Sequence, residues 1–190
     1  ADLVALLAAS AYWHTYSDPV YAKACLEEAL TLMQGASFMP SIQAILLQTA
    51  VHQAIARGDA RSARIEADRA LALAEQCGPG TRGFTLIVAV HAALLANDLP
   101  RLHDLWQRLQ EWGKPVTGRL RFILMACFAH GFAAAGVTAG LRQALQRLLA
   151  MDSLPAGLEL HVMDRGDREM WNTYYRGIVA EHATAQINRL

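Results

Sequence analysis

The chain has 190 residues and a mass of 20.8 kDa, with 17 Lys and Arg against 17 Asp and Glu, so its formal net charge is zero. That balance speaks against a phosphate-binding surface as the main feature, and 54% apolar residues exclude a disordered chain and suffice for a buried core. With 35 Ala and 27 Leu against only 26 Val, Ile and Thr together, good helix formers dominate and an all-α fold is expected.

In chain order, apolar periodicity and turn signals predict helices at 2–16, 19–34, 39–57, 60–76, 82–96, 99–112, 116–135, 138–151 and 167–188. The segment between 152 and 166 reads as a loop leading into the last helix. The longest apolar stretch, Phe122 to Val137, contains His130 and two glycines and is shorter than the roughly twenty residues that span a bilayer. The N-terminus has no basic segment ahead of its apolar residues, so it does not read as a signal peptide. It starts without Met and enters an amphipathic pattern at once, which fits both a piece of a longer polypeptide and a trimmed tag. Cys25, Cys77 and Cys127 lie far apart in apolar surroundings and read as reduced thiols of a cytoplasmic protein.

The chain repeats. Val51 to Leu73 (VHQAIARGDARSARIEADRALAL) recurs 39 residues later as Val90 to Trp112 (VHAALLANDLPRLHDLWQRLQEW), and 39 later again as Ala129 to Met151. An earlier copy, Ser10 to Leu32, precedes the second by 41. Each copy holds an apolar run, a short break and a second amphipathic run. The breaks are Ser17-Asp18-Pro19, Arg57-Gly58-Asp59, Asn97-Asp98-Leu99-Pro100 and Ala135-Gly136-Val137-Thr138. Asp and Asn cap helix starts, Gly stops helix ends, and Pro fits a first turn, so each copy is a helical hairpin. The whole chain, 1–190, is expected to be one helical-repeat domain with hairpins at about 2–34, 39–76, 82–112 and 116–151 and a terminal helix at about 167–188. Hairpins in series that cannot bury their own apolar faces stack into a superhelix.

These residues resemble the tetratricopeptide repeat. Its turn aspartate, with small residues four and eleven positions later, is matched by Asp18, Ala22 and Ala29 and by Gly58-Asp59, Ala63 and Ala70. Copies three and four carry Leu102 with Leu109 and Leu141 with Leu148 instead, and the small position of the first helix is Val51, Val90 or Ala129. The resemblance implies a right-handed superhelix with first helices facing a concave groove. Longer, alanine-rich repeats of this texture, ARGDARSARIEADRALALAE above all, are also similar to the helical sensor domain of the large ATP-binding LuxR-type transcription activators of the maltose-regulator kind. That implies a neighbouring ATPase and a DNA-binding helix-turn-helix, neither of which is in this chain. No Gly-x-x-x-x-Gly-Lys-Ser/Thr loop is present, so nucleotide hydrolysis is not expected here.

His52, His91 and His130 recur at one repeat position. Equivalent residues of stacked hairpins lie about 10 Å apart, too far for three imidazoles to share one metal. Two readings stay open: a ladder of polar groups in an apolar groove, alongside Ile45, Gln48, Phe84, Ile87, Leu94 and Leu95, or histidines satisfied by carbonyls between hairpins. Ile45, Phe84 and Ile123 form an apolar column seven residues before the histidines. The terminal aromatics Tyr12, Trp13, His14 and Tyr16, with Trp171, Tyr174 and Tyr175, suit capping, contact with further repeats or self-association. The alternating charges of 57 to 69 read as a solvated face.

No Glu-x-x-His pair, no Gly-x-Ser-x-Gly elbow and no other acid, base and nucleophile set is legible. The expectation is a non-enzymatic module without metal or cofactor. It would take a small inducer or a protein segment in its groove and would touch neither nucleic acid nor membrane. It reads as the regulatory sensor domain of a larger activator, or alternatively as a stand-alone adaptor or co-chaperone that binds peptides.

Overall fold

Three aspartates set the architecture by starting helices at repeat spacing. In the computed structural model, Asp18, Asp59 and Asp98 each stand just before a helix, and their side-chain oxygens accept from the backbone N–H of Tyr21, Ser62 and Arg101, each at 3.0 Å. Each bond satisfies a donor that has no partner inside its helix. The structure describes residues 2–34 and 38–112, and further on only 124–125, 127–129, 131–132, 136–137, 139–140 and 143–144. The chain divides into two compact units, Ala1–Pro115 and Val116–Leu190.

The first unit contains α1 (Asp2–His14), α2 (Pro19–Met33), α3 (Pro40–Ala56), α4 (Ala60–Ala74), α5 (Pro79–Leu95) and α6 (Leu99–Glu111). There is no strand among the described residues, and no helix there is long and apolar enough to cross a membrane. The fold class is therefore all-α as far as the chain is described. Two boundaries differ appreciably from the expected ones. Helix α5 starts at Pro79 rather than 82, because Pro79 fits a first turn, lacking only an N–H that would be unpaired there anyway. Helix α1 ends at His14, ahead of a turn in which Asp18 N–H donates to the His14 carbonyl at 2.8 Å.

The stops recur like the starts. Gly58 and Asn97 have left-handed backbones, φ 71° and 51°, directly after α3 and α5. Around each, two bonds close the helix end. Gly58 N–H donates to Ile55 O and Asp59 N–H to Ala54 O, both at 2.9 Å, while Asn97 donates to Leu94 at 3.0 Å and Asp98 to Ala93 at 2.9 Å. This is the Schellman arrangement, which glycine adopts without strain and asparagine tolerates. A Cβ on Gly58 meets nothing within 4 Å, so Gly58→Ala introduces backbone strain and no clash. We expect it to destabilise the unit by about 1–2 kcal/mol in urea unfolding. A variant as stable as the parent would contradict the left-handed turn.

Each helix of the first unit packs on the next, and α1 also packs on α3 and α3 on α5. The first core joins Val4, Ala8 and Ala11 of α1 to Cys25, Leu26 and Ala29 of α2 and Leu46 of α3. A buried Gln53 side chain ties α3 to α2 by donating to the Ala22 carbonyl at 2.9 Å. Helix α4 meets its neighbours through Ala63, Ala67, Ala70 and Ala74, none more than 3% exposed, so backbones come close there. Helix α6 buries Leu102, Leu105, Trp106 and Leu109 and exposes His103, Asp104 and Gln107. Ion pairs run from α4 to α6 and its cap: Arg64 to Asp98 at 3.6 Å, Asp68 to Arg101, and Glu75 to Arg108 at 3.4 Å. Part of the charged run read as a solvated face is thus a bridge between helices, though exposed pairs of this kind contribute little each. All three cysteines are free and buried.

In the second unit the described positions are helical except at Gly136 and Val137. Phe128 and Phe132 stack at 6.1 Å, both fully buried. Gly136 has φ 69°, and Val137 N–H donates to Phe132 O at 2.8 Å, the same stop as at Gly58. The rest of the fourth hairpin, the loop from 152 to 166 and the helix expected at 167–188 lie outside the described residues, as do Ile123, Leu141, Leu148, Trp171, Tyr174 and Tyr175.

Candidate binding groove

The side chains of α1, α3 and α5 enclose a groove of about 390 Å³. Helix α1 lends Ala5, Ala8, Ala9, Tyr12 and Trp13, α3 lends Ile42, Ile45, Gln48 and Thr49, and α5 lends Gly80, Thr81 and Phe84. The geometry follows from residue size. Three alanines and a glycine leave room where larger side chains would fill it, while Trp13 and Ile45 keep 46% and 41% of their surface exposed at its edge.

No lining side chain is charged. Two of the polar ones are engaged within the protein: the buried Gln48 amide donates to Thr85 Oγ1 at 2.7 Å and reaches the Thr81 carbonyl at 3.4 Å. Thr85 Oγ1 donates to the same carbonyl at 2.7 Å, and Thr49 Oγ1 donates to Ile45 O at 3.0 Å. The groove is therefore a largely apolar cleft in which the Gln48 and Thr49 side chains are tied to the protein.

Three rings meet at one side of it. Tyr12 packs edge to face on His52 at 4.8 Å and on Phe84 at 5.9 Å, and His52 lies 6.2 Å from Phe84. His52 is 9% exposed and does not line the groove, although it touches two residues that do. Burial, aided by nearby His91, pushes its pKa from 6.5 down to about 3, so the ring is neutral at any ordinary pH. Its Nε2 has no hydrogen-bond partner among the described residues.

Of the residues expected in a groove, the structure brings Ile45, Gln48 and Phe84 together. The others fall elsewhere. Ile87 is 2% exposed, inside the core, and His91, Leu94 and Leu95 do not line the cleft; the last two sit at the end of α5 remote from Gly80 and Thr81. His130 lies outside the described residues. His52 matches neither expectation in full: it stands behind a groove wall rather than in the groove, and one ring nitrogen has no partner among the described residues. Sequence reasoning missed Tyr12 and Trp13 as groove residues, although the aromatic cluster at 12–16 was the signal. It also missed Ile42, Thr49 and Thr81, which carry no signal of their own.

Among the described residues no three His, Cys, Asp or Glu side chains are grouped as a metal site. No family model, curated protein or solved structure matches the chain.

Proposed function

We propose that the chain is a non-enzymatic binding module, a tetratricopeptide-like right-handed superhelix of hairpins with a period of about 40 residues. In this reading it is the regulatory sensor domain of a larger cytoplasmic LuxR-type transcription activator. The observation that carries it is the groove, formed by the first helix of each of three successive hairpins, α1, α3 and α5. That is where a superhelix of hairpins offers a ligand its inner wall. The order of packing supports the reading: α1 on α3 and α3 on α5, each helix on its successor, and no close backbone approach of α2 to α4 or of α4 to α6 among the described residues. The left-handed stops at 58, 97 and 136, spaced by 39, support it independently.

The alternative, an adaptor or co-chaperone that takes a peptide segment in the same groove, is favoured by the exposed rim of Trp13 and Ile45, since aromatic and aliphatic anchors at an open cleft also suit protein partners. Reading the encoding gene outward from both ends separates the two. The regulator requires a phosphate-loop ATPase upstream and a helix-turn-helix downstream. A reading frame confined to these 190 residues overturns it in favour of the adaptor.

A further inference from the structure

We propose that the groove between α1, α3 and α5 takes a small, uncharged, planar aromatic molecule bearing a single hydroxyl, with His52 Nε2 as the partner of that hydroxyl. The inference rests on the binding-module reading and adds the ligand class.

Three observations select the class. The cleft, at about 390 Å³, falls within the range of small-molecule sites. A charged ligand is disfavoured because no lining side chain offers a counter-charge, and a desolvated ion without a partner is costly. A polyol is disfavoured because its hydroxyls would leave water for a surface where the Gln48 amide and the Thr49 hydroxyl already donate within the protein. What the surface does offer is ring faces and edges, from Tyr12, Trp13 and Phe84. Aromatic rings pair with such walls in offset or edge-to-face contact.

The single hydroxyl follows from a buried polar atom beside the groove that has no partner among the described residues. His52 Nε2 is buried and unbonded among the described residues, and its ring is in direct contact with both Tyr12 and Phe84 of the groove wall. Buried polar atoms are normally paired, and those that are not are often completed by a ligand or water. The Tyr12 ring, which packs on His52 at 4.8 Å, must give way for a bound hydroxyl to reach Nε2. A hydroxyl both donates and accepts, so it satisfies that nitrogen in either tautomer.

The experiment titrates the purified 190-residue chain with 1-naphthol, naphthalene, naphthalene-1-sulfonate and maltose, followed by calorimetry and by tryptophan fluorescence. Binding of 1-naphthol is expected to exceed that of the sulfonate and of maltose by at least tenfold. Ile45→Asp places a charge at a position 41% exposed, which the fold tolerates, and is expected to weaken 1-naphthol at least tenfold. Leu95→Asp makes the same change at an exposed residue outside the cleft and is expected to leave binding unaltered. His52→Leu is expected to remove the preference for 1-naphthol over naphthalene while leaving naphthalene bound.

Equal binding of the sulfonate overturns the uncharged class, and loss of 1-naphthol binding in Leu95→Asp but not in Ile45→Asp overturns the site. Maltose bound in place of 1-naphthol overturns the aromatic class and leaves the binding-module reading standing. If no probe binds, the ligand class is overturned, and the regulator reading falls with it only where the gene also lacks the flanking domains.

Discussion

Between pH 6.5 and about 3 the first unit is expected to lose stability with a slope of up to about 1.4 kcal/mol per pH unit from His52 alone. The direction follows from linkage. Above 6.5 the imidazole is neutral in both folded and unfolded chains and contributes no slope. Below that value the unfolded chain takes up a proton that the folded chain refuses until about pH 3, so acid favours unfolding across the whole interval. The cause is burial: a ring 9% exposed, walled by Tyr12 and Phe84, is poorly solvated for a charge, and nearby His91 adds to the penalty.

His52→Leu isolates this contribution. Leucine fills much of the same volume, cannot titrate and removes the unbonded Nε2, so the variant is expected to match the parent near pH 7 and to exceed it increasingly in acid. Urea unfolding of both proteins at pH 7, 6, 5 and 4 reads the difference. Parallel curves would show that His52 is charged in the folded state and that its assigned environment is wrong. A further consequence concerns ligands. The member of the histidine column that touches the groove wall does not change charge near the ordinary histidine pKa, so it supplies no binding switch there.

The turns were legible because their chemistry is local. Asp18, Asp59 and Asp98 cap whatever helix follows them, and the stop at Asn97 was readable from Gly58 because Asn, like Gly, accepts a left-handed backbone. The small-residue positions were legible for the same reason of pattern: Ala22, Ala29, Ala63 and Ala70 are all fully buried, and so nearly are their copy-three counterparts Leu102 and Leu109. Depth was not legible. Equal spacing made His52 and His91 equivalent, yet how deep a ring lies depends on what covers it, and His52 is covered in part by Tyr12 from another hairpin. The groove shared this fate. Its α1 wall belongs to a hairpin aligned at an offset of 41 residues, whose helices are separated by four residues instead of three; that offset sets Ala11 against His52, whereas an offset of 39 leads to Trp13, so the alignment of the turns passed the groove residues by.

Exchanging the residues at one repeat position between copies is expected to damage both copies, for opposite reasons. Position 102 holds a leucine, 1% exposed, at the contact of α6 with its neighbours, and position 63 holds an alanine, 0% exposed, on α4. Leu102→Ala leaves a cavity that a packed helix pair closes only in part, and is expected to destabilise by about 2–5 kcal/mol. Ala63→Leu pushes three extra carbons into a contact that Ala67, Ala70 and Ala74 keep narrow along the same helix, and is expected to destabilise by about 1–3 kcal/mol. Ala72→Leu, on the exposed side of α4, serves as the control and is expected to change stability by less than about 0.5 kcal/mol. The midpoints of urea unfolding at unchanged slope report all three. A neutral Ala63→Leu would mean that α4 can move away from its neighbours without loss, so close backbone approach would not be the reason for its alanines. A costly one, beside a costly Leu102→Ala, would mean that the copies share a chain path while each helix pair has its own fixed separation, which is how repeats with diverged residues keep one period.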